Sequence, residues 1–355
     1  MTLSSFSYKT SGWELVELDA LRLTNLLVGK NASRKTRIIK ALQYVSSILC
    51  MKPIVFPEKS FRSRLLFTEP EDEKRIMIYE FEIVDDKVKF EQLTIGGTTL
   101  IKRDPNKVVF KGDIVYPPSD KLVVQVRRDK SEYPEIESLM EWADGVVAIS
   151  CSDINPMTIL NGPTGFINSI SFSDMVVSLG KEEKKNVIDN AKLLGYDIVD
   201  LSTLMVNSDL RLVIVKERYQ KNGIMDFQLS SGMMRVLYLL CFLELIKFRK
   251  KYSLLLIDDL GEGLDYSRAI HLGERVFAAC EKECIQLLAS SNDSFLMDVV
   301  DISKWQILRR KYSKLTVINK SNTPELFNSF RLTGLSNFDL FSSDYLDNFL
   351  DQKAE

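Results

Sequence analysis

Val28-Gly29-Lys30-Asn31-Ala32-Ser33-Arg34-Lys35-Thr36 is the stretch on which the reading of this chain turns. A loop that cradles phosphates follows the rule glycine, four residues, then glycine, lysine and serine or threonine. Gly29, Lys35 and Thr36 obey it, while Arg34 stands where the second glycine belongs. Upstream, Leu21 to Val28 reads as a strand. Downstream, Arg37 to Cys50 has helical periodicity, with Ile38, Ala41, Leu42, Val45 and Ile48 on one face. Strand, loop and helix is the context that gives the motif meaning. The main chain of Gly29, Lys30, Asn31, Ser33 and Arg34 is then expected to face phosphate oxygens at a helix N-terminus. Lys35 would neutralise the terminal phosphates, and Thr36 would hold Mg²⁺ through its hydroxyl.

Working outward, the period changes to two between Arg75 and Ile114. Asp85-Asp86, Gly96-Gly97 and Asp104-Pro105-Asn106 separate the alternating runs, which predicts an antiparallel meander. Residues 121–225 read as an inserted helical subdomain, with helices over Glu132–Trp142 and Ser173–Leu194. A breaker cluster stands at Asn161-Gly162-Pro163-Thr164-Gly165, and a strand over Arg211–Val215. Beyond it come an apolar helix over Met233–Phe248, a strand over Ser253–Ile257, a helix over Ser267–Lys282 and a strand over Cys284–Ala289. Such alternation indicates an α/β fold with a mostly parallel, doubly covered sheet. The expected organisation is residues 1–120 and 226–320 as two halves of one core, 121–225 as the insertion, and 321–355 as a tail. Phe338, Phe341, Tyr345 and Phe349 of the tail suit one amphipathic docking helix.

Three further segments follow the loop in a fixed order. Phe227-Gln228-Leu229-Ser230-Ser231-Gly232 opens a helix, so Ser230 and Gly232 are candidates for a second anion site; an ordinary serine cap is the plainer reading. Leu254 to Ile257 ends in Asp258 and Asp259. Asp258, at the carboxyl end of a core strand, is placed to act on Mg²⁺, and Asp259 to polarise an attacking water. Many α/β strands end in an aspartate, so this signal gains weight only from its company. Finally, Ala289-Ser290-Ser291-Asn292 ends a strand with a polar side chain, Asn292, in reach of phosphate or water.

This order resembles the ABC-type ATPases, within the P-loop NTPases. The likeness is closest to the AAA15/AAA21-like branch, related to the ATPase part of OLD-family nucleases and to structural-maintenance-of-chromosomes (SMC) heads. Gly-Lys-Asn-Ala-Ser-x-Lys-Thr at 29–36 and Leu-Ser-Ser-Gly-Met-Met-Arg at 229–235 carry the likeness, which spans the chain to about residue 310. The resemblance implies ATP and Mg²⁺ as ligands and a homodimer closed head-to-tail around two nucleotides. Each loop would face Ser230 and Gly232 of the other copy, with Asp265 in the segment that crosses the interface. It further implies a role in a bacterial anti-phage defence or DNA-repair complex, with a separate effector such as a nuclease or toxin, since about 45 residues after Arg310 are too few for a nuclease domain. Three departures stand at one site: Arg34 for glycine, Asp259 for glutamate and Asn292 for histidine. Displacing a water-positioning group by about 1 Å can cost roughly 10²-fold in rate, so slow turnover is expected. The Mg²⁺-sensing glutamine of the class has no clear candidate. A non-hydrolysing scaffold that assembles or restrains a partner is the alternative, and a chromosome-type tether would need heptad arms that this chain lacks.

Composition bounds the rest. The chain has 355 residues, 45% of them hydrophobic, and a formal net charge of −2, which argues against general nucleic-acid coating and leaves a local DNA contact open. Basic clusters at 247–251, 309–314 and 127–130 suit solvated element ends. The longest apolar run is cut by Glu244, so no membrane span is expected, and the first residues lack a signal-peptide pattern, which predicts a cytoplasmic protein. Five cysteines without a paired spacing and a single histidine, His271, argue against a zinc site or a two-histidine mechanism.

Overall fold

The computed structural model describes residues 1–30, 32–52, 58–69, 72–105, 107–154, 170–208, 210–249, 251–343 and 345–352. Among them a sheet of 14 strands runs through the molecule. Its core half orders Val146–Ser150, Leu254–Asp258, Gln286–Ser290, Thr24–Val28 and Trp305–Lys311, all parallel. Lys314–Ile318 turns back antiparallel, Glu14–Leu18 pairs parallel with it, and Thr2–Thr10 leads into the meander. The meander comprises Phe61–Glu69, Asp72–Val84, Lys87–Ile95, Thr98–Asp104, Lys107–Phe110 and Asp113–Ile114. Its first strand, Phe61–Glu69, extends it beyond the expected start at Arg75.

Alternation along the buried strands explains the layers. Leu26, Val28, Leu287 and Ala289 face one apolar cluster, packed by the helices Ser231–Phe248 and Tyr266–Lys282. Leu27 and Leu288 point the other way, against Ile38, Leu42 and Val45 of the helix Lys35–Leu49. Side chains two apart share a face, so a strand apolar at every position is covered on both sides. The helix Ser231–Phe248 has little polar face for the same reason: Val236 to Ile246 is buried throughout. No helix among the described residues is long and apolar enough to cross a membrane.

Residues 121–225 hold the helices Phe172–Ser178 and Lys181–Leu193, split at Leu179-Gly180 where one helix over Ser173–Leu194 was expected. They also contribute strands. Val146–Ser150 joins the core sheet at its edge, and Ile198–Met205, Arg211–Glu217 and Ile224–Met225 form a second sheet. The breaker cluster at 161–165 lies outside the described residues. In the tail the helix Pro324–Arg331 comes first, and the aromatic segment that follows forms two short helices, Asn337–Ser342 and Tyr345–Gln352, where one was expected. Ser336 and Asp339 form a capping box that starts the first, and the Ser343 hydroxyl accepts from Tyr345 N at 3.3 Å to start the second. Both pack on this chain's own core through Leu340 and Leu346.

The parallel core strands share one carboxyl edge. Val28, Asp258, Ser290 and Lys311 all end there, so the loops that follow them gather at one place.

Candidate functional site

Gly29 is required by close approach: a Cβ there would stand 2.9 Å from Ser33 Cβ and 3.2 Å from Leu308 Cβ. The loop then folds on itself, with Ser33 N donating to Lys30 O at 3.0 Å. Arg34 has φ 71° and ψ 26°, the left-handed conformation that glycine adopts freely. The arginine therefore reproduces the backbone of the residue it replaces. Its carbonyl accepts from Arg37 N and Ile38 N at 3.0 and 3.2 Å, so the helix starts on it directly. Burial, with Arg310 and Arg37 close by, lowers the Arg34 pKa against the opposing pull of Glu58.

Two buried polar groups in the loop want a partner. The Ser33 hydroxyl and Arg34 Nη1 are shielded from solvent with no hydrogen bond. Lys35 is buried and turns its ammonium back onto Gly29 O at 2.6 Å. No ion pair reaches it among the described residues; burial lowers its pKa, and Asp259 and Asp258 pull the other way. A buried ammonium, an orphaned hydroxyl and a helix N-terminus together suit a polyanion such as a triphosphate. Thr36, half-buried in the first turn, completes this edge. Asn31 lies outside the described residues.

Asp258 is buried at the end of its strand and accepts the Ser290 hydroxyl proton at 2.6 Å. The same hydroxyl accepts from Asp259 N at 3.0 Å, so Ser290 fixes both acids. Asp259 also takes a left-handed φ, 55°. Its carboxyl is pushed up to about 6 by burial, then by Asp258 and Glu262, against Lys35 and Arg235. Asn292 Nδ2 stands 3.4 Å from Asp259 Oδ1. Thr36 with Asp258 offers one hydroxyl and one carboxylate, a donor set that suits Mg²⁺, which keeps several waters and phosphate oxygens as ligands.

The other predicted residues form a second group. Ser230 caps its helix, accepting from Met233 N at 3.2 Å, and is solvent-exposed. Gly232 faces Gly263 O, Leu264 and Tyr196 at 3.5–3.6 Å from an added Cβ. Asp265 caps the next helix and pairs with Arg268 at 2.7 Å. No hydrogen bond or ion pair joins these three to residues 29–36 among the described residues.

Three contributors were missed by the sequence reading. Ser290 sat inside a quoted segment, but only its geometry shows that it serves both acids. Arg235 donates to Cys151 O at 2.7 Å and Glu262 O at 2.6 Å, tying the Ser230 helix to the loop after Asp259. Arg310 donates to Ala32 O at 3.2 Å. The last two lie far in sequence from what they hold, so no local pattern marks them. Each basic cluster has at least one member in an ion pair: Arg128 with Glu137, Lys130 with Glu141, Lys247 with Glu244, Arg309 with Asp347.

No protein-family model matches the chain, and no curated protein sequence matches it. Solved structures do. One is an SMC head bound to the C-terminal winged-helix domain of ScpA, with 13% identity, TM-score 0.56, and coverage of 90% of this chain and 97% of that one. Another is an SMC head with an extended coiled coil bound to the C-terminal domain of ScpA, derived from Pyrococcus furiosus. It has 12% identity, TM-score 0.55, and coverage of 93% and 99%. At such identity the likeness speaks for the fold. The shared fold is that of the SMC head domains, in agreement with the α/β core, parallel sheet and meander read from the sequence.

Proposed function

We propose that this chain is an ABC-type ATPase head that binds ATP with Mg²⁺ on residues 29–36, Asp258 and Asp259, and turns over slowly. The observation that carries the reading is Arg34: it holds the glycine conformation while Lys35 and Ser33 stay buried without an anionic partner. Lys35 would take the terminal phosphates, Thr36 and Asp258 the Mg²⁺, and Asp259 with Asn292 the attacking water. Bound ATP supplies the energy of a phosphoanhydride bond. The exposed cap at Ser230 supports a head-to-tail dimer in which each copy completes the other's site. Nucleotide state would then act as a switch on a separate effector protein, the AAA15 or OLD-like defence role being the finer form of this proposal.

The second reading is a scaffold that binds ATP without hydrolysing it. Asp259 favours it, because its carboxylate stands one methylene back from the glutamate the family resemblance implies and its contact to Asn292 is long, at 3.4 Å. Phosphate release separates the two readings. Wild type should exceed Lys35→Ala at least tenfold; equal release with retained ATP binding would leave the scaffold. A mixing experiment addresses the dimer. Lys35→Ala and Ser230→Arg should each be inactive, and mixed they should recover about a quarter of wild-type activity, since half the dimers would carry one intact site. Failure of the mixture to recover would argue for sites complete within one chain.

A further inference from the structure

The hairpin after the strand Trp305–Lys311 has no part in the site described so far. That strand is the parallel neighbour of Thr24–Val28, with Ile307 opposite Val28, so its hairpin overhangs the same edge as the phosphate loop. Tyr312 forms the tip, and three features set it apart. Its side chain is 85% exposed. Its φ is 58°, a left-handed conformation where a hairpin ordinarily carries glycine or asparagine. One guanidinium then binds both the tip and the loop: Arg310 donates to Tyr312 O at 3.0 Å and to Ala32 O at 3.2 Å. Tyr116 and Tyr219 are as exposed, but no bond ties either backbone to the loop among the described residues. On the far side, Glu14 N donates to Ser313 O at 3.0 Å, which sets the small turn Ser11-Gly12 beside the tip.

Strained backbone and an exposed ring return nothing to the fold, and strain of this kind gathers at ligand sites. We propose that Tyr312 is the platform on which the nucleobase stacks when a nucleoside triphosphate is bound, an inference that rests on the nucleotide reading above. Arg310 fixes the spacing between this shelf and the phosphate grip, so a ligand with both a base and a triphosphate spans the two. Every base has a π-face, and stacking alone separates bases weakly. The site is therefore a strong triphosphate grip with a permissive base shelf.

Equilibrium binding to the full chain in Mg²⁺ tests this with ATP, GTP and inorganic tripolyphosphate as probes, and Lys35→Ala as control. Tyr312→Ala should weaken ATP and GTP alike by about 5- to 100-fold, the span of one base–aromatic stack. It should leave tripolyphosphate unchanged, and Tyr312→Phe should keep ATP binding within about threefold, because the ring is retained. Unchanged ATP affinity in Tyr312→Ala, or an equal loss for tripolyphosphate, would overturn the inference alone. Absence of ATP binding in wild type would overturn it together with the nucleotide reading.

Discussion

Arg34 carries the central physical question at the scale of single residues. A left-handed φ costs an L-residue roughly 1–2 kcal/mol and glycine almost nothing. Arg34→Gly and Arg34→Ala both delete the side chain, but only the first relieves the backbone. Denaturant unfolding should therefore show Arg34→Gly more stable than Arg34→Ala by about 1 kcal/mol, with ATP affinity kept in both within a few-fold. Equal stability would remove the strain argument. The sequence displayed the substitution but not its consequence, because a glycine advertises a left-handed site whereas an arginine in that conformation leaves no trace. Asp259 is a second such case, with φ 55° at a position read only as an acid. Its carboxyl sits near 6 in the folded chain, against about 3.9 unfolded. Between those values the folded chain holds a proton that the unfolded chain has released, so stability falls as pH rises through the window and the penalty persists above it. Asp259→Asn should accordingly be stabilising near neutral pH and without effect below about pH 4, as thermal melts across pH would show.

Among elements, the apolar runs and turn signals made most of the core legible. Leu254–Asp258, Gln286–Ser290 and the first helix fall within two residues of expectation. The strand at 24–28 starts later than Leu21 because the Asn25 side chain closes a turn with both backbone groups of Arg22, at 2.8 and 2.7 Å. Val146–Ser150 was not anticipated, since a buried run of four apolar residues and a serine has no period to read. The helix Ser231–Phe248 was visible, but its mechanical link was not. Arg235 joins it to the Glu262 carbonyl, and its guanidinium fills the space that a Cβ on Gly263 would need. Arg235→Ala should loosen the segment after Asp259, raising amide exchange at Leu260, Glu262 and Leu264 by about tenfold, the value of one charged hydrogen bond. Unaltered exchange there would mean that the loop holds its shape without this arginine.

Taken as a whole molecule, one sheet edge collects the phosphate loop, both acids and the Tyr312 hairpin, while Ser230 and Gly232 occupy a separate group. The order of motifs in the sequence anticipated that edge, since parallel strands place successive carboxyl ends together. Local pattern could not tell which residues the folded edge would add, because Ser290, Arg310 and Asp347 depend on long-range pairing. Asp347 of the tail reaches Lys30 at 3.3 Å and Arg309 at 3.0 Å, which brings the far end of the chain onto the loop where the fold began. A composite site predicts that Asp259→Asn, slow to hydrolyse, sediments as a dimer with ATP and Mg²⁺ and as a monomer without. A single species in both conditions would oppose nucleotide-driven closure. The most direct test of the account is calorimetric titration of ATP·Mg²⁺ into the full chain and into Lys35→Ala. The account predicts one ATP per wild-type chain and affinity at least tenfold weaker in the variant, as expected for loss of a charged phosphate contact. No binding by wild type, or equal binding by both, would contradict it.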